Sequence, residues 1–325
     1  MHQTIPGVRI GHASDLKGVT GCTVVLCEGG AVCGVDVRGS AAGTRDLAPC
    51  LPGHVVERVH ALFLSGGSAF GLDAAAGVME FLESRGIGFP AGKVRVPIVP
   101  GAVIFDLHVG SPKARPSRSM ALRACRNASE KVVEGSVGAG TGATVGKLYG
   151  IGQATKGGVG FWSLSLPGGV RVQALAVVNA FGDVVDPRTG KVIAGARVSP
   201  GSPEFAFTLK SMFEGHVRKG FGVANTTLVV VITNAALDKV QTTKVAQMAH
   251  DGLARAIRPV HTLFDGDLVF ALSLGRKRAG VNSLGTAAAE ATAEAIFRAV
   301  EGAQGLGGVP SCRELRGWGL DNSEI

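Results

Sequence analysis

Glycine makes up 49 of the 325 residues, and these glycines are spread along the whole chain rather than collected in a linker. Glycine reaches backbone conformations that other residues avoid, so this distribution predicts many tight turns and close backbone contacts. Apolar residues make up 46% of the chain and charged residues only 18%, a composition that excludes intrinsic disorder. We therefore expect one domain that spans residues 1–325.

Short β-rich runs alternate irregularly with helical segments. Several runs are apolar at consecutive positions, which is typical of strands covered on both faces. The order predicts helices layered on sheets, an α/β protein of the α+β type, rather than a regular doubly wound fold. Residues 199–223 interrupt the strands and are expected to form an exposed connection, where chain cleavage is tolerated. The expected strands are 23–27, 31–37, 60–64, 170–178, 227–233 and 268–274, and the expected helices are 69–85, 239–257 and 284–300.

Composition and charge exclude several classes of partner. The net charge is +8, but the cations are dispersed, and the chain has only one tyrosine and two tryptophans. A nucleic-acid site needs clustered cations and stacking aromatic residues, so none is expected. The six cysteines show no two-residue spacing, which argues for reduced thiols and no metal site. The aliphatic run 228–232 is too short to cross a bilayer, and residues 1–11 do not resemble a secretory signal. We expect a cytoplasmic protein with no membrane partner.

Familiar catalytic and nucleotide-binding motifs are not supported. Residues 138–143 fit GxGxxA, but no helical period and no carboxylate follow at the required distance. Gly146-Lys147 lacks the upstream glycine and the following Ser or Thr of a phosphate loop. The eight histidines include no HExxH, and no GxSxG is present; we assign His250 and His261 to capping or packing.

Asn225-Thr226-Thr227 comes directly before the aliphatic run 228–232. Taken alone, this string is compatible with threonines that simply begin a strand, because branched side chains suit strands. A series of further motifs agrees with it in order and spacing, and together they resemble the L-aminopeptidase/D-esterase family, which includes the β-peptidyl aminopeptidases. The motifs are 5–12, 43–45, 64–72, 96–100, 104–107, 135–142, 156–160, 225–227, 249–252 and 264–267.

This resemblance implies a single-domain αββα sandwich of the N-terminal-nucleophile kind, similar in fold to ornithine acetyltransferase. It also implies a precursor that cleaves itself between Asn225 and Thr226. The products would be an α chain of residues 1–225 and a β chain of residues 226–325. Members of the family are usually homo-oligomers, often tetramers, and need no cofactor or metal.

The chemistry of threonine fits such a cleavage. A hydroxyl is a poor nucleophile until a group accepts its proton. Once Thr226 is a chain terminus, its own α-amine, with a pKa of roughly 7.7–8, is suited to this role. Before cleavage the same nitrogen is an amide, so the precursor should be inactive. Self-cleavage would begin with attack of the Thr226 hydroxyl on the Asn225 carbonyl, at a junction with donors for the oxyanion.

The resemblance also suggests supporting residues. Asn179 matches an asparagine that donates a side-chain N–H to the oxyanion, although it is also suited to a turn. Asp265 and Asp267 would orient the Thr226 ammonium and hydroxyl, although they also fit an ordinary turn between strands. Glu134 would bind the free amino terminus of the substrate, or it would end a surface helix.

The function implied is hydrolysis of the N-terminal residue of short peptides, amides or esters through an acyl-threonine intermediate. One alternative is acyl transfer of the ornithine acetyltransferase type, because water and an amine compete for the same acyl-enzyme. Another alternative is an unprocessed, non-catalytic assembly protein that keeps the fold.

Overall fold

The computed structural model describes residues 2–216 and 225–320. The predicted strands all lie within longer observed strands, and the predicted helices at 239–257 and 284–300 are observed as helices over Lys239–Ala256 and Val281–Glu301. Within the described ranges, the strands are β1 (Arg9–Asp15), β2 (Thr20–Val37), β3 (Gly43–Arg45), β4 (Val59–Ser65), β5 (Phe89–Ala91), β6 (Val94–Val96), β7 (Gly101–Val103), β8 (Thr144–Val145), β9 (Thr155–Lys156), β10 (Gly158–Leu166), β11 (Val170–Asn179), β12 (Asp183–Val185), β13 (Val192–Ala194), β14 (Thr226–Ala235), β15 (Ile257–Arg258) and β16 (Leu268–Lys277). The α-helices of the same ranges are α1 (Ala76–Glu83), α2 (Arg118–Arg126), α3 (Thr208–Phe213), α4 (Lys239–Ala256), α5 (Val281–Glu301) and α6 (Cys312–Leu320).

A continuous path of hydrogen-bonded strands forms the centre of the molecule. Its order is β10-β11-β14-β16-β2-β4-β7-β3, with β1 beside β2. The 18-residue strand β2 belongs to both halves of this path: its first half pairs with β1 and β4, and its second half pairs with β16. The register with β4 shifts between Leu26 and Ala31, where Gly30 has a φ of 82° that suits glycine. β2 therefore carries the chain from one half to the other.

The two halves of the path pack face to face. Leu228 and Val230 of β14 share a core with Leu62 of β4. Val229 lies between them in the sequence and belongs to a second core, which it shares with Leu253 of α4. Because successive side chains of a strand point to opposite faces, β14 has the other half of the path on one face and helices on the other.

The half of the strand path that contains β4 is covered on its outer face by α1 and α2. Phe63 of β4 is next to Leu62 in the sequence and packs in a third core with Leu82 of α1 and Ala121 of α2. The layers are therefore helix, sheet, sheet and helix, and the predicted αββα sandwich is confirmed. None of the helices in the described part of the chain has both the length and the apolar character needed to span a bilayer.

The predicted helix at 69–85 begins differently from the prediction. Ser68–Ala75 form a 3-10 helix, and α-helical geometry starts only at α1. At Gly71 a Cβ would lie 1.9 Å from the carbonyl oxygen of Gly66, so this tight start depends on a contact that only glycine permits. It brings Ser68 and Ala69 to the cavity described below.

The Asn225–Thr226 junction lies inside the protein. The predicted connection 199–223 includes α3, and its last residues lie outside the described ranges. Asn225 and Thr226, which follow, are only 2% and 4% exposed. Thr226 begins β14 between β11 and β16, in the middle of the strand path. The bond expected to be cut is therefore shielded from an external protease.

Candidate active site

The hydroxyl of Thr226 is turned back toward the preceding peptide bond. Its Oγ1 donates a 2.5 Å hydrogen bond to the carbonyl oxygen of Asn225. Because a C=O bond is about 1.23 Å long, Oγ1 lies no more than about 3.7 Å from the carbonyl carbon. Reacting atoms in a near-attack arrangement are about 3–3.5 Å apart. The hydroxyl is therefore close to the carbon that it would have to attack.

Gly266 supplies a second hydrogen bond to the same carbonyl oxygen. Its backbone N–H donates to Asn225 O over 2.8 Å. A Cβ at position 266 would lie 2.7 Å from Thr226 Oγ1 and 2.7 Å from the carbonyl oxygen of Ala41, so only glycine fits. An N–H in this place can stabilise negative charge that develops on the carbonyl oxygen. Sequence reasoning gave Gly266 no role, because a donor of this kind is a backbone group with no side-chain signature.

Asp265 and Asp267 flank Gly266, and each is 1% exposed. Asp267 Oδ1 accepts a 2.7 Å hydrogen bond from the backbone N–H of Thr227, which fixes the start of β14. Asp265 accepts hydrogen bonds from the Phe181 N–H at 3.1 Å and the Thr262 hydroxyl at 2.5 Å. The structure thus brings both aspartates of the predicted site next to the junction.

Asn179 ends β11 and pairs with Thr226 in the antiparallel register. Its Oδ1 accepts hydrogen bonds from the Thr144 N–H at 3.0 Å and from Lys147 Nζ at 2.8 Å. Its Nδ2 donates to the carbonyl oxygen of Phe105 at 3.2 Å. Asn179 is therefore adjacent to the junction, and its predicted role toward the oxyanion stays a prediction.

Lys147 is a buried cation at the site that sequence reasoning missed. Its Nζ donates to both Oδ1 and the backbone carbonyl of Asn179. Burial lowers the pKa of Lys147 to about 7, against the attraction of Asp265 and other buried carboxylates. The sequence does contain an indication of this role. Lys147 lies in 144–179, a mostly apolar and glycine-rich stretch with no carboxylate. A lysine buried in such a stretch needs polar partners from elsewhere in the fold.

The charge of the buried Asp267 affects the ionisation of the nearby Asp265. Burial and the charge of Asp267 raise the pKa of Asp265 to about 6, although its hydrogen bonds to Thr262 and Phe181 act in the other direction. The site therefore combines an easily protonated carboxyl group with an easily deprotonated lysine. Groups with pKa values moved toward neutrality are typical of catalytic sites.

A cavity of about 220 Å³ opens beside the hydroxyl of Thr226. Its walls come from the turn after β2, the start of the 3-10 helix and the end of β7, which contain several of the motifs singled out above. This gives the motifs 43–45, 64–72 and 104–107 a common position in the fold. The lining residues are Ala41, Ala42, Gly43, Ser68, Ala69, Val103, Ile104, Phe105, Asn225 and Thr226.

Glu134 is not brought to this cavity. Its Oε1 accepts hydrogen bonds from the Phe161 N–H and Arg298 Nε, both at 2.9 Å, and its Oε2 accepts one from Arg298 Nη2 at 2.7 Å. Both oxygens are thus engaged in a pair with Arg298, and Glu134 is not among the described residues that line the cavity. Binding of the substrate's amino terminus by Glu134 stays a prediction, and the geometry gives it a structural task instead.

His250 and His261 lie closer to the site than sequence reasoning suggested. His261 Nδ1 is 2.9 Å from Asp267 Oδ2, and His261 Nε2 is 3.2 Å from His250 Nδ1. The sequence does not indicate this position, because neither histidine belongs to a motif with the spacing of metal ligands. Within residues 2–216 and 225–320, no cluster of three or more His, Cys, Asp or Glu side chains is arranged to hold a metal ion.

Comparison with known proteins places this geometry in a family. The model of peptidase family S58 matches residues 3–312. A relative from Mycobacterium tuberculosis, described as an uncharacterized aminopeptidase, is 42% identical, and the match covers 96% of each chain. A 6-aminohexanoate-oligomer endohydrolase from Paenarthrobacter ureafaciens is 32% identical, covering 90% of this chain and 84% of that one.

The fold likeness extends to solved structures. The L-aminopeptidase D-Ala-esterase/amidase from Ochrobactrum anthropi, described as a prototype for the serine aminopeptidases and a variant of the Ntn hydrolase fold, has a TM-score of 0.71. It is 16% identical, covering 99% of this chain and 93% of that one, so it shows the fold alone. From the family match and the sequence identities, the chain belongs to peptidase family S58 and is a hydrolase of the aminopeptidase type.

Proposed function

We propose that the chain cleaves itself between Asn225 and Thr226, and that Thr226 then serves as the N-terminal nucleophile of the aminopeptidase. The observation that carries this proposal is the 2.5 Å contact between Thr226 Oγ1 and the carbonyl oxygen of Asn225 at a buried junction. The Gly266 N–H on the same oxygen adds a donor for the tetrahedral intermediate. Because the bond is buried, cleavage from within is favoured over cleavage by another protein.

Self-cleavage proceeds in two steps. In the first, Oγ1 attacks the carbonyl carbon of Asn225, the C–N bond breaks, and the hydroxyl proton ends on the departing nitrogen of Thr226. The product is an ester between Asn225 and the Thr226 oxygen, with a free amine on Thr226. In the second step, water from the adjacent cavity hydrolyses the ester and leaves residues 1–225 with a carboxyl terminus.

The mature enzyme repeats this chemistry on substrates. The α-amine of Thr226, with a pKa of roughly 7.7–8, accepts the hydroxyl proton while Oγ1 attacks the substrate carbonyl. That carbonyl takes the position that the Asn225 carbonyl has in the precursor, so the Gly266 N–H serves both reactions. Asn179, opposite Thr226 in the sheet, is proposed to add a side-chain donor.

The buried charges orient the nucleophile. Asp267 holds the Thr227 N–H and so fixes the backbone one residue after the nucleophile. Asp265 and Asp267 together attract the ammonium form of the new Thr226 terminus, and Lys147 offsets part of their charge. This arrangement supports a catalytic role for both aspartates in addition to their role in the turn.

The substrate class that fits is a short peptide, amide or ester whose first residue enters the 220 Å³ cavity. The family match favours hydrolysis over acyl transfer to an amine and over an unprocessed assembly protein. The homotetramer and the cytoplasmic location stay predictions.

A matched pair of isosteric variants tests the proposal. Thr226→Val removes the attacking hydroxyl, whereas Thr227→Val removes a buried hydroxyl that has no hydrogen-bond partner among the described residues. We expect Thr226→Val to remain a single inactive chain. We expect wild type and Thr227→Val to give fragments 1–225 and 226–325 in a denaturing mass measurement. Normal fragmentation of Thr226→Val, or an intact wild-type chain after prolonged incubation, would refute the assignment.

A further inference from the structure

A line of three hydrogen bonds leads from the junction through two histidines to β2. We use "histidine relay" for Asp267, His261, His250 and the backbone carbonyl of Asp36. Asp267 Oδ2 is 2.9 Å from His261 Nδ1, His261 Nε2 is 3.2 Å from His250 Nδ1, and His250 Nε2 is 3.1 Å from Asp36 O. The other carboxylate oxygen of Asp267 binds the Thr227 N–H. The relay therefore ends one residue from the nucleophile.

Counting protons shows that the relay holds one more than its histidines supply when neutral. Each of the three contacts needs one hydrogen between its two heavy atoms. The Asp36 carbonyl accepts only, and an ionised Asp267 accepts only. Two neutral imidazoles carry one N–H each, which makes two hydrogens for three contacts. A third proton must therefore be bound on Asp267, His261 or His250.

The surroundings decide where the third proton is held. His250 is fully buried, and burial lowers its pKa to about 4, with Arg38 and His261 acting in the same direction. His250 is therefore neutral, and its N–H is on Nε2, because that atom faces the Asp36 carbonyl. Its Nδ1 must then accept the Nε2–H of His261. The third proton belongs to the contact between His261 Nδ1 and Asp267.

We propose that His261 is held as an imidazolium between Asp267 and His250, and that it is a positioning residue that acts on the Asn225–Thr226 junction through Asp267. The carboxyl group of Asp265 lies on the other side of Gly266, so a positive partner at Asp267 offsets the repulsion between the two carboxyl groups. Lys147 is the other cation that acts on Asp267. An ionised Asp267 can then accept the Thr227 N–H with one oxygen and the His261 N–H with the other.

The location of His261 suits a group that exchanges protons. It is in the loop before β16 with a φ of 57°, and its side chain is 18% exposed, whereas the Asp267 and His250 side chains are 1% and 0% exposed. At the far end of the relay, Asp36 is paired with Arg38. Protons can therefore enter at His261 without opening the core around His250.

The relay predicts a distinctive pH dependence for the proposed self-cleavage. As pH rises and the third proton leaves, the three contacts have only two hydrogens, and one contact becomes repulsive between lone pairs. Asp267 then keeps the backbone N–H donors of Thr227 and His261 but loses its ring donor, so its orientation at the junction is less fixed and self-cleavage slows at alkaline pH. A merely structural histidine would change the rate equally at every pH.

The protonation state is measured directly by ¹⁵N-histidine NMR on the full Thr226→Val chain, which cannot cleave if the proposed function holds. At about pH 7 we expect protons on both ring nitrogens of His261 and on Nε2 alone of His250. His250→Gln assigns the signals; it also removes the imidazole acceptor for His261 Nε2, so the second ring proton of His261 should be absent at about pH 7 in this variant. A neutral His261 at about pH 7 in the Thr226→Val chain, or a His261 that keeps both ring protons at that pH in His250→Gln, overturns the proposal.

A kinetic experiment tests the link to the junction, and only this part rests on the proposed self-cleavage. Asn tolerates the left-handed backbone of position 261, and His261→Asn can still donate one neutral N–H to Asp267. We expect self-cleavage at about pH 7 to slow on the order of tenfold, equal to about 1.4 kcal/mol of barrier, and the alkaline decline to disappear. The control is His54→Asn, because the Nδ1 of His54 accepts a hydrogen bond from the nearby Val56 N–H. A parallel pH profile for His261→Asn and wild type overturns the positioning role; a wild type that never cleaves rejects the proposed function and leaves the NMR result valid.

Discussion

Alanine at position 266 is the smallest change that tests the geometry of the Asn225–Thr226 junction. It keeps the backbone N–H that binds the Asn225 carbonyl and adds a single methyl group. That methyl carbon would lie 2.7 Å from Thr226 Oγ1, roughly 0.8 Å shorter than the closest favourable contact between heavy atoms. The loop cannot simply retreat on its other side, because the carbonyl oxygen of Ala41 is also at 2.7 Å. The hydroxyl must therefore move relative to the carbonyl that it is proposed to attack.

The size of the effect follows from this displacement. A shift of about 1 Å in a reacting group can cost on the order of a hundredfold in rate, so we expect self-cleavage of Gly266→Ala to slow by about that factor. Overpacking a tight site also costs about 1–3 kcal/mol of stability, which would lower the melting temperature without unfolding the protein at room temperature. The two effects are separable because the rate and the melting temperature are measured independently.

The assay follows the appearance of fragments 1–225 and 226–325 on denaturing gels after synthesis of the full chain. Circular dichroism gives the melting temperature of the uncleaved protein. Gly152→Ala is the control, since a Cβ there has no heavy atom within 4 Å among the contacts that the structure describes. If Gly266→Ala cleaved at the wild-type rate, the placement of the hydroxyl against Gly266 would be wrong.

Two further substitutions test the electrostatics. In the folded chain burial lowers the pKa of Lys147 from 10.5 to about 7. Between these two pH values the unfolded chain binds one more proton at this lysine than the folded chain does. Lys147 therefore makes the free energy of unfolding rise with pH by at most about 1.4 kcal/mol per pH unit. We expect the free energy of unfolding of Lys147→Met, measured in urea between about pH 7 and about pH 9, to rise less steeply with pH than that of wild type. Equal slopes for the two proteins would contradict the burial argument. Glu134→Gln should lower the free energy of unfolding by about 1 kcal/mol, since its pair with Arg298 is partly buried, and should leave the KM for free-amine peptides unchanged. A selective rise in that KM would instead give Glu134 the substrate-binding role.

The strands of the central sheet could be predicted because their sequences are determined by burial. Residues 227–233 and 268–274 are apolar on consecutive positions, as expected for strands with a core on each face, and they are observed within β14 and β16. The start of the helix after β4 could not be predicted in the same way. Its 3-10 geometry depends on a contact between Gly71 and the backbone of Gly66, and apolar periodicity has no information about such a contact.

The residues of the candidate site also fall into two groups, those that the sequence could predict and those that it could not. Thr226, Asp265 and Asp267 belong to short motifs whose residue types already suggest chemistry. Lys147 and His261 gain importance only from partners that the fold brings near them. Lys147 binds Asn179, 32 positions away. His261 contacts His250, and His250 in turn binds the carbonyl of Asp36, 214 positions from His250 in the sequence. Glu134 is a similar case, since its partner Arg298 is 164 positions away and the local motif does not indicate this pair.

Burial of the junction also explains how a chain could be cut in its core and still keep its structure. The two long strands of residues 226–325 are not at an edge: β14 lies between β11 and β16, and β16 lies between β14 and β2. Separation of the two fragments would break the pairing of β11 with β14 and of β16 with β2, which exposes an edge on each of these four strands. It would also expose the apolar faces that β14 presents to both cores. The loss of one peptide bond at the first residue of β14 removes none of these contacts. A cut at this position would therefore free an amine beside the proposed nucleophile while the sheet on both sides continued to hold that amine in place.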